Sequence, residues 1–281
     1  MPAPVAALAG ASGFVGRALS ASLRAEGFGV RLIGRSGPDA RWDDGASVQR
    51  AVDGADLLVN LAGRSVDCRY TARNRDEILR SRLTTTRTLH NAVSAASRPP
   101  SAWLNASTAT IYRYALDHPQ DEDDGELGEG FSVDVARAWE DAFFAGTLGG
   151  TRRVALRMAI VLGDGPATAK LFRLARWGLG GTQYDGPWFA HRRYRGIGDH
   201  PTGAGRAPWH RSRGRQRFSW VHIDDVVGAV RFLRDRPDLE GPVNVASPHP
   251  ADNRSLMATL RRTVGSSFGI PAPRFVLEPA M

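Results

Sequence analysis

Short apolar runs alternate along this chain with stretches whose apolar residues recur every three or four positions. Val5–Ala9 is an unbroken apolar run that ends in glycine, the pattern of a strand buried on both faces. Gly16–Glu26 then carries Ala18, Leu19 and Leu23 at helical spacing. Gly29–Ile33 reads as a second strand, and Asp56–Leu61, opening from the Asp53-Gly54 turn, as a third. Arg73–Ala96 reads as a long helix stopped by Pro99-Pro100. Ala102–Ala106 is a further strand, followed by a polar acidic loop over Asp117–Gly130. Val133–Leu148 is helical and ends at Gly149-Gly150, and Val154–Val161 is one more strand.

From about Gly163 this regularity fails. The stretch 181–217, rich in glycine and arginine, has no periodicity and reads as a loop. Phe218–Ile223 resumes as a strand and Asp224–Arg234 as a helix, with Asp224-Asp225 supplying the cap and first turn. Pro242–Ala246 is a short strand and Ser255–Val264 a helix. Strands alternating with helices predict an α/β fold: a doubly wound Rossmann parallel sheet with helices on both faces. The expected division is a dinucleotide-binding domain over 1–163. A small substrate-binding lobe over 164–281 is interleaved with the last elements of the sheet.

The first strand runs into Gly10-Ala11-Ser12-Gly13-Phe14-Val15-Gly16. A strand that turns at once into a helix, with glycines at these positions, is the dinucleotide fingerprint. Gly10 gives the tight turn, Gly13 lets the backbone approach a pyrophosphate, and Gly16 lets helix pack on strand. The helix N-terminus offers free N–H groups and a partial positive charge to the phosphates. The second strand ends Ile33-Gly34-Arg35-Ser36, with no acid to bind a ribose 2′-hydroxyl. Arg35 can instead pair with a 2′-phosphate and Ser36 can donate to it, so the expected cofactor is NADP, as NADPH.

Composition narrows the picture. The 281 residues carry a formal charge of +8, and Lys170 is the single lysine among 37 basic residues. Residues 181–217 hold eight arginines (Arg192, Arg193, Arg195, Arg206, Arg211, Arg213, Arg215, Arg217) against Asp185 and Asp199. The charge therefore belongs to one segment. With one cysteine, Cys68, a disulfide framework and a cysteine zinc site are excluded. His191, His200 and His210 lack metal-ligand spacing, so no metal is expected. No apolar run approaches the ~20 residues that span a bilayer, and no signal segment opens the chain. The expectation is a soluble cytoplasmic protein with no membrane partner.

Together these segments resemble the extended and atypical short-chain dehydrogenases. They look most like the bacterial epimerase-like family related to nucleoside-diphosphate-sugar epimerases. The matching pieces are GASGFVG at 10–16, NLAG at Asn60–Gly63, SRLTTTRTL at Ser81–Leu89 and NASTATIY at Asn105–Tyr112. RAWE at Arg137–Glu140, LRMAIVLGDG at Leu156–Gly165, FSWVHIDDV at Phe218–Val226 and GPVNVASPHPADN at Gly241–Asn253 complete the set. The resemblance implies that Leu61, Ala62 and Gly63 lie beside the adenosine and nicotinamide ribose. It implies that Thr108 stands where related epimerases carry a catalytic Ser or Thr.

The resemblance also implies a Tyr-x-x-x-Lys pair on the next helix, in which lysine lowers the tyrosine's ordinary pKa of ~10. If Glu140 is the glutamate four residues beyond that lysine, Ala136 stands at the lysine position and Ser132 at the tyrosine position. Tyr112 or Tyr114 could approach from the loop after the strand, and Arg137 could supply charge, though arginine cannot act as a base. For Tyr112 the structural-core reading is favoured slightly over catalysis. Two functions follow. One is an NADP-dependent oxidoreductase or epimerase acting on a small-molecule hydroxyl or ketone, a nucleotide sugar among the candidates. The other is a non-catalytic NADP(H)-binding sensor or regulator.

Relatives have a short link where this chain has Gly181–Arg217, which mixes its arginines with Tyr184, Trp188, Tyr194 and Trp209. The readings are a solvated loop, or a grip on substrate phosphates by Arg213, Arg215 or Arg217. Nucleic acid is the least favoured partner. Relatives continue beyond the region matching Pro271–Leu277, so a substrate lobe that ends early, at Met281, is expected. A homodimer is compatible with the sequence and not required by it. Arg35→Asp is expected to weaken NADPH binding far more than NADH binding in a fluorescence titration. Equal losses for the two coenzymes would discredit the 2′-phosphate assignment.

Overall fold

A computed structural model of the protein describes residues 2–206 and 211–278. Trp209, His210 and Met281 lie outside the described residues. Its main sheet takes β1 (Val5–Ala9), β2 (Gly29–Gly34), β3 (Ala40–Arg41), β4 (Leu57–Asn60), β5 (Ala102–Thr108), β6 (Arg152–Met158) and, after the short β7 to β10 defined below, β11 (Gly241–Val245). These seven stand in the order β11-β6-β5-β4-β1-β2-β3, every pair parallel, the expected doubly wound sheet.

Side-chain alternation sorts the strands onto two faces. Ala7, Ala9, Ile33, Leu58, Trp103 and Ala155 point one way, where α2 (Gly45–Val52), α3 (Ala72–Ser94) and α4 (Phe131–Phe144) cover them. Ala6, Leu8, Leu57, Val59, Leu104 and Leu156 point the other way, under α1 (Phe14–Ala25) and, past the short α5 (Pro166–Arg176), α6 (Ile223–Arg234). Both runs are apolar because both faces are covered, which is why the strands show no polar alternation. Trp103 is wholly buried, edge-on to Phe143 with ring centroids 4.9 Å apart.

The expected single strand Val154–Val161 breaks at Ala159. Ala159 N donates to Val245 O and Ile160 N to Ser219 O, so the chain leaves the main sheet. β7 (Ile160–Leu162) then pairs with β10 (Trp220–His222) instead. Besides a four-residue helix near the end of the chain, two longer helices escaped the periodicity reading. For α2, Val48, Ala51 and Val52 do repeat at helical spacing, but a polar Asp43-Asp44-Gly45 turn masks the start. The Asp44 carboxylate in fact caps it by accepting from Ser47 N at 3.1 Å. For α5, glycines at 163 and 165 suggest loop, whereas Pro166 at the first turn opens the helix. At α6 the capping acceptor is His222 Nδ1, and Asp224 and Asp225 lie in the first turn.

The remaining elements form the lobe. β8 (Gln183–Tyr184) pairs with β13 (Ala272–Pro273), β9 (Arg217–Phe218) with β12 (Ala251–Asp252), and α7 (Asn253–Thr263) packs on α5 around Ala175, Met257 and Leu260. α8 (Arg274–Leu277) follows β13. No described helix is long and apolar enough to cross a membrane.

Much of the arginine-rich segment is held by buried charge. Arg75 on α3 donates to the carbonyls of Arg192 at 2.7 Å and Gly196 at 3.1 Å, with its guanidinium 4.5 Å over the Phe131 ring. Asp134 on α4 accepts from Ile197 N at 3.0 Å and Thr202 N at 2.8 Å. Ile197 packs against the cluster of Ile78, Leu79, Phe131 and Val135. Arg193 and Arg274 both pair with the buried Glu278 carboxylate. Burial alone would push Glu278 up, but the Tyr194 hydroxyl and the two arginines outweigh it and hold the carboxyl below its usual range. Residues 192–202 are therefore a docked strap across α3 and α4, not a free loop.

A second buried ion pair closes the carboxyl end of the sheet. The guanidinium of Arg157 (β6) donates to both Glu140 oxygens, at 3.0 and 2.8 Å, with both side chains about nine-tenths buried. Burial opposes the charge on Arg157, but hydrogen bonds to Glu140 and Tyr112 more than offset it and raise its pKa. Replacing Arg157 with Met would strand the Glu140 carboxylate. The expected loss is roughly 3–5 kcal/mol of unfolding free energy, read by urea denaturation; a loss under about 1 kcal/mol would show that the pair is not a keystone.

Candidate functional site

The cofactor turn is built from the backbone. Gly10 has φ 83°, a conformation glycine adopts freely, and its N donates to Ile33 O at 3.3 Å. A Cβ on Gly10 would lie 2.7 Å from the Leu61 carbonyl carbon, so this turn seats directly on the end of β4. A Cβ on Gly16 would meet Gly10 O at 2.3 Å, which is why the helix cannot lie so close to the turn with any larger residue. A Cβ on Gly13 meets nothing nearer than Gly10 O, at 3.4 Å. Gly13 and Ser12 are exposed, and no side chain caps the first turn of α1. Free N–H groups facing open space are what a pyrophosphate requires, so these residues fit a dinucleotide. Phe14 and Val15 start the helix, and the Phe14 ring packs on Gly163 and Gly165, joining the turn to the lobe. Arg17 braces the turn by donating to Ser12 O at 2.7 Å.

At the end of β2, Arg35 and Ser36 are exposed, and Arg35 has no protein partner among the described residues. At the end of β4, Leu61 N donates to Ala9 O at 2.9 Å, and Ala62 N donates to Asn60 Oδ1 at 3.0 Å. Gly63 is exposed beside Arg82, whose side chain a Cβ there would meet at 3.3 Å. The sequence reading gave neither Asn60 nor Arg82 a role. Asn60 is fully buried and donates to Asn105 Oδ1 at 2.7 Å and Thr86 Oγ1 at 3.4 Å. Trp139 Nε1 donates to the same hydroxyl at 2.9 Å. This network bolts β4, β5, α3 and α4 together beneath the site. Arg82 is pushed down to about 10 by burial, lies 4.9 Å over the Trp139 ring, and donates to Arg64 O at 3.1 Å. The signal for both lay in the NLAG and SRLTT segments, where polar residues interrupt otherwise apolar surroundings.

Thr108 ends β5, half-exposed at the carboxyl edge of the sheet. Its Oγ1 accepts from Thr110 N at 3.2 Å and lies 2.9 Å from Thr110 Oγ1. If Thr110 donates in that contact, the Thr108 proton is left for an outside acceptor. Tyr112 faces inward. Its hydroxyl accepts from Arg157 at 2.7 Å and donates to Asn244 Oδ1 at 3.0 Å, an arrangement that ties β6 to β11. Ser107 Oγ donates to Glu140 Oε1 at 2.5 Å. Burial raises the Tyr114 phenol pKa, and its hydroxyl meets the backbone of Arg217. Ser132 and Arg137 are exposed on α4, and Ala136 has no exposure.

The three arginines singled out in the insertion are all exposed but not gathered at one point. Arg213 has φ 54°, and its carbonyl accepts from Arg254 at 3.0 Å. Arg215 turns back toward Ser212 O at 3.4 Å. Arg217 opens β9 next to Tyr114, nearest the loop that follows Thr108. Among the described residues no group of three His, Cys, Asp or Glu is arranged to hold a metal.

With this geometry in view, residues 6–136 match the model of the NAD dependent epimerase/dehydratase family. The bovine epimerase family protein SDR39U1 is 32% identical over 94% of this chain and 80% of its own. The crystal structure of human epimerase family protein SDR39U1 with NADPH superposes with a TM-score of 0.80 at 28% identity, covering 98% of this chain and 85% of that one. MoeE5 in complex with UDP-glucose and NAD gives 0.71 at 20% identity over 95% and 84%, a likeness of fold. Gly13→Ala is expected to fold normally, its Cβ meeting only Gly10 O. It should bind NADPH and NADH alike at least about tenfold more weakly, because a methyl group displaces the phosphate from the helix N-terminus. Unchanged affinity for both in a calorimetric titration would place the pyrophosphate elsewhere.

Proposed function

Because this chain belongs to the NAD dependent epimerase/dehydratase family, we propose that it is an NADP-dependent oxidoreductase or epimerase working on a small hydroxyl or ketone substrate. NADP(H) is its cofactor, as in the human relative. Nucleotide sugars are the first substrate class to try, since the similarly folded MoeE5 was captured with UDP-glucose. The observation that carries the reading is the half-exposed Thr108 hydroxyl, held at the carboxyl end of β5 on the same edge of the sheet as the cofactor turn.

The glycine turn, with Ser12, Phe14 and Val15, holds the pyrophosphate. Arg35 and Ser36 take the 2′-phosphate, and Leu61, Ala62 and Gly63 line the path to the nicotinamide. A nicotinamide held there would supply hydride transfer. Thr108 donates a hydrogen bond to the substrate oxygen and fixes its distance from that ring. Arg217, beside Tyr114, is the insertion arginine best placed to meet a phosphate carried by the substrate. Arg137 contributes positive charge on the exposed side of α4.

One observation favours a second reading, a non-catalytic NADP(H) sensor. Ser132 and Ala136 hold the positions of the expected Tyr-x-x-x-Lys pair, and the Tyr112 hydroxyl is already committed to Arg157 and Asn244. Titration with NADPH and NADH, followed by a turnover screen on nucleotide sugars and simple ketones, separates the two. Tight NADPH binding without any turnover would select the sensor. If the enzyme reading holds, Thr108→Ala should lower turnover at least about tenfold with the NADPH Kd unchanged, the loss of one hydrogen bond made to the reacting oxygen. Tyr112→Phe should lower thermal stability more than rate.

A further inference from the structure

The charged groups around the end of β2 are sorted in a way the sequence does not announce. Gly34 is paired in register with Arg41 on β3, and Trp42 N donates back to Gly34 O at 3.3 Å. Adjacent strands lie about 4.8 Å apart, so the Cα of Arg41 sits one strand spacing from that of Gly34 and next to Arg35. Ala40 turns into the core with Ile33, so Arg41 faces the other side of the sheet, the side on which α1 packs. The connecting turn is drawn tight: a Cβ on Gly37 would meet Ala40 O at 2.3 Å and Gly34 N at 2.7 Å.

All three carboxylates that follow this turn's entry are engaged. Asp39 accepts from Leu32 N at 2.7 Å, on the strand behind. Asp44 caps α2. Asp43 accepts from Arg41 Nε at 3.0 Å and from Nη2 at 2.7 Å, which fixes the guanidinium while leaving its Nη1 edge unused. The Arg41 backbone N donates to Ser47 Oγ at 3.1 Å, so the root of the side chain is fixed as well. What remains facing solvent is an unpartnered Arg35, the Ser36 hydroxyl and one edge of a pre-oriented Arg41.

We propose that Arg41 is a second specificity-determining contact for the cofactor's 2′-phosphate, with Asp43 as its orienting partner. The inference rests on the Arg35 assignment and deepens it. A phosphate monoester carries a charge of about −1.5 to −2 near pH 7, more than one arginine neutralises. NADH, with a hydroxyl in that place, makes no use of the extra cation. Asp43 acts in two opposed ways: it holds the guanidinium in place, and its own charge repels the incoming phosphate. At such exposure the repulsion is the larger loss for a dianion, so removing the carboxylate's charge favours NADPH.

Isothermal titration with NADPH, NADH and 2′,5′-ADP on the wild type and on Arg41→Gln, Asp43→Asn and Arg35→Gln tests this, with circular dichroism to confirm folding. Arg41→Gln is expected to weaken NADPH and 2′,5′-ADP by roughly tenfold, one charge-assisted hydrogen bond, with NADH unchanged within twofold. Asp43→Asn is expected to tighten NADPH by a few-fold, an effect that shrinks as salt is raised to ~0.5 M. An unchanged NADPH-to-NADH ratio in Arg41→Gln, alongside a collapsed ratio in Arg35→Gln, would overturn the role of Arg41 and leave Arg35 standing. Unchanged ratios in both would overturn the two together.

Discussion

The whole arrangement depends on how closely the backbone at Gly10 approaches the end of β4. With φ 83° and no Cβ, Gly10 lies against the Leu61–Ala62 peptide, where any side chain would overlap the Leu61 carbonyl. That contact fixes the start of α1 relative to the strand carrying Leu61, Ala62 and Gly63. It therefore holds the glycine turn and the end of β4 in one frame. Gly16 repeats the constraint from the helix side. Neither contact stores much energy; each excludes alternatives, since a methyl group forces the turn to open.

The frame is then locked from below by polar groups rather than by apolar packing alone. Asn60 joins the β4 end to Asn105 on β5 and to Thr86 on α3, and Trp139 reaches Thr86 from α4. Ser107, Glu140, Arg157, Tyr112 and Asn244 extend the same logic across β5, β6 and β11. Buried polar groups are costly unless partnered, and these are partnered with one another, so the strand ends have little freedom to slide. Thr108 sits on the rim of this lattice. Its neighbour Ser107 points in to Glu140, while Thr108 itself points out, a direct consequence of strand alternation.

What the sequence disclosed follows from what period and punctuation encode. Val5–Ala9, the glycine turn and the sheet order were legible because apolar runs and glycine spacing are local signals. Arg35 and Ser36 were legible as an ending without an acid. The break at Ala159 was not, because Met158 and Ile160 are equally apolar and only their partners differ, Val245 for one strand and Trp220 for the other. The docking of residues 192–202 was hidden for a related reason. Arg75 and Asp134 look like ordinary surface charges of two helices until the strap's carbonyls and amides arrive from more than 60 positions away. The partners of Arg41, Asp43 and Asp39 are close in sequence, but which way each carboxylate turns is not written in the local pattern.

The missing tyrosine and lysine take on physical meaning against this background. A lysine at position 136 would stand where Ala136 is fully enclosed, so its ammonium would have to find a polar partner within that packing. A buried cation does stand near the carboxyl end of β6, Arg157, and it is neutralised by Glu140. A guanidinium held by a bidentate carboxylate cannot shuttle protons, and it keeps Tyr112 engaged as an acceptor. The positive charge under this end of the sheet thus braces β6 against α4 and, through Tyr112, against β11. Beside these inward-facing groups, the Thr108 hydroxyl at the end of β5 is half-exposed, whereas that of Ser107 is buried.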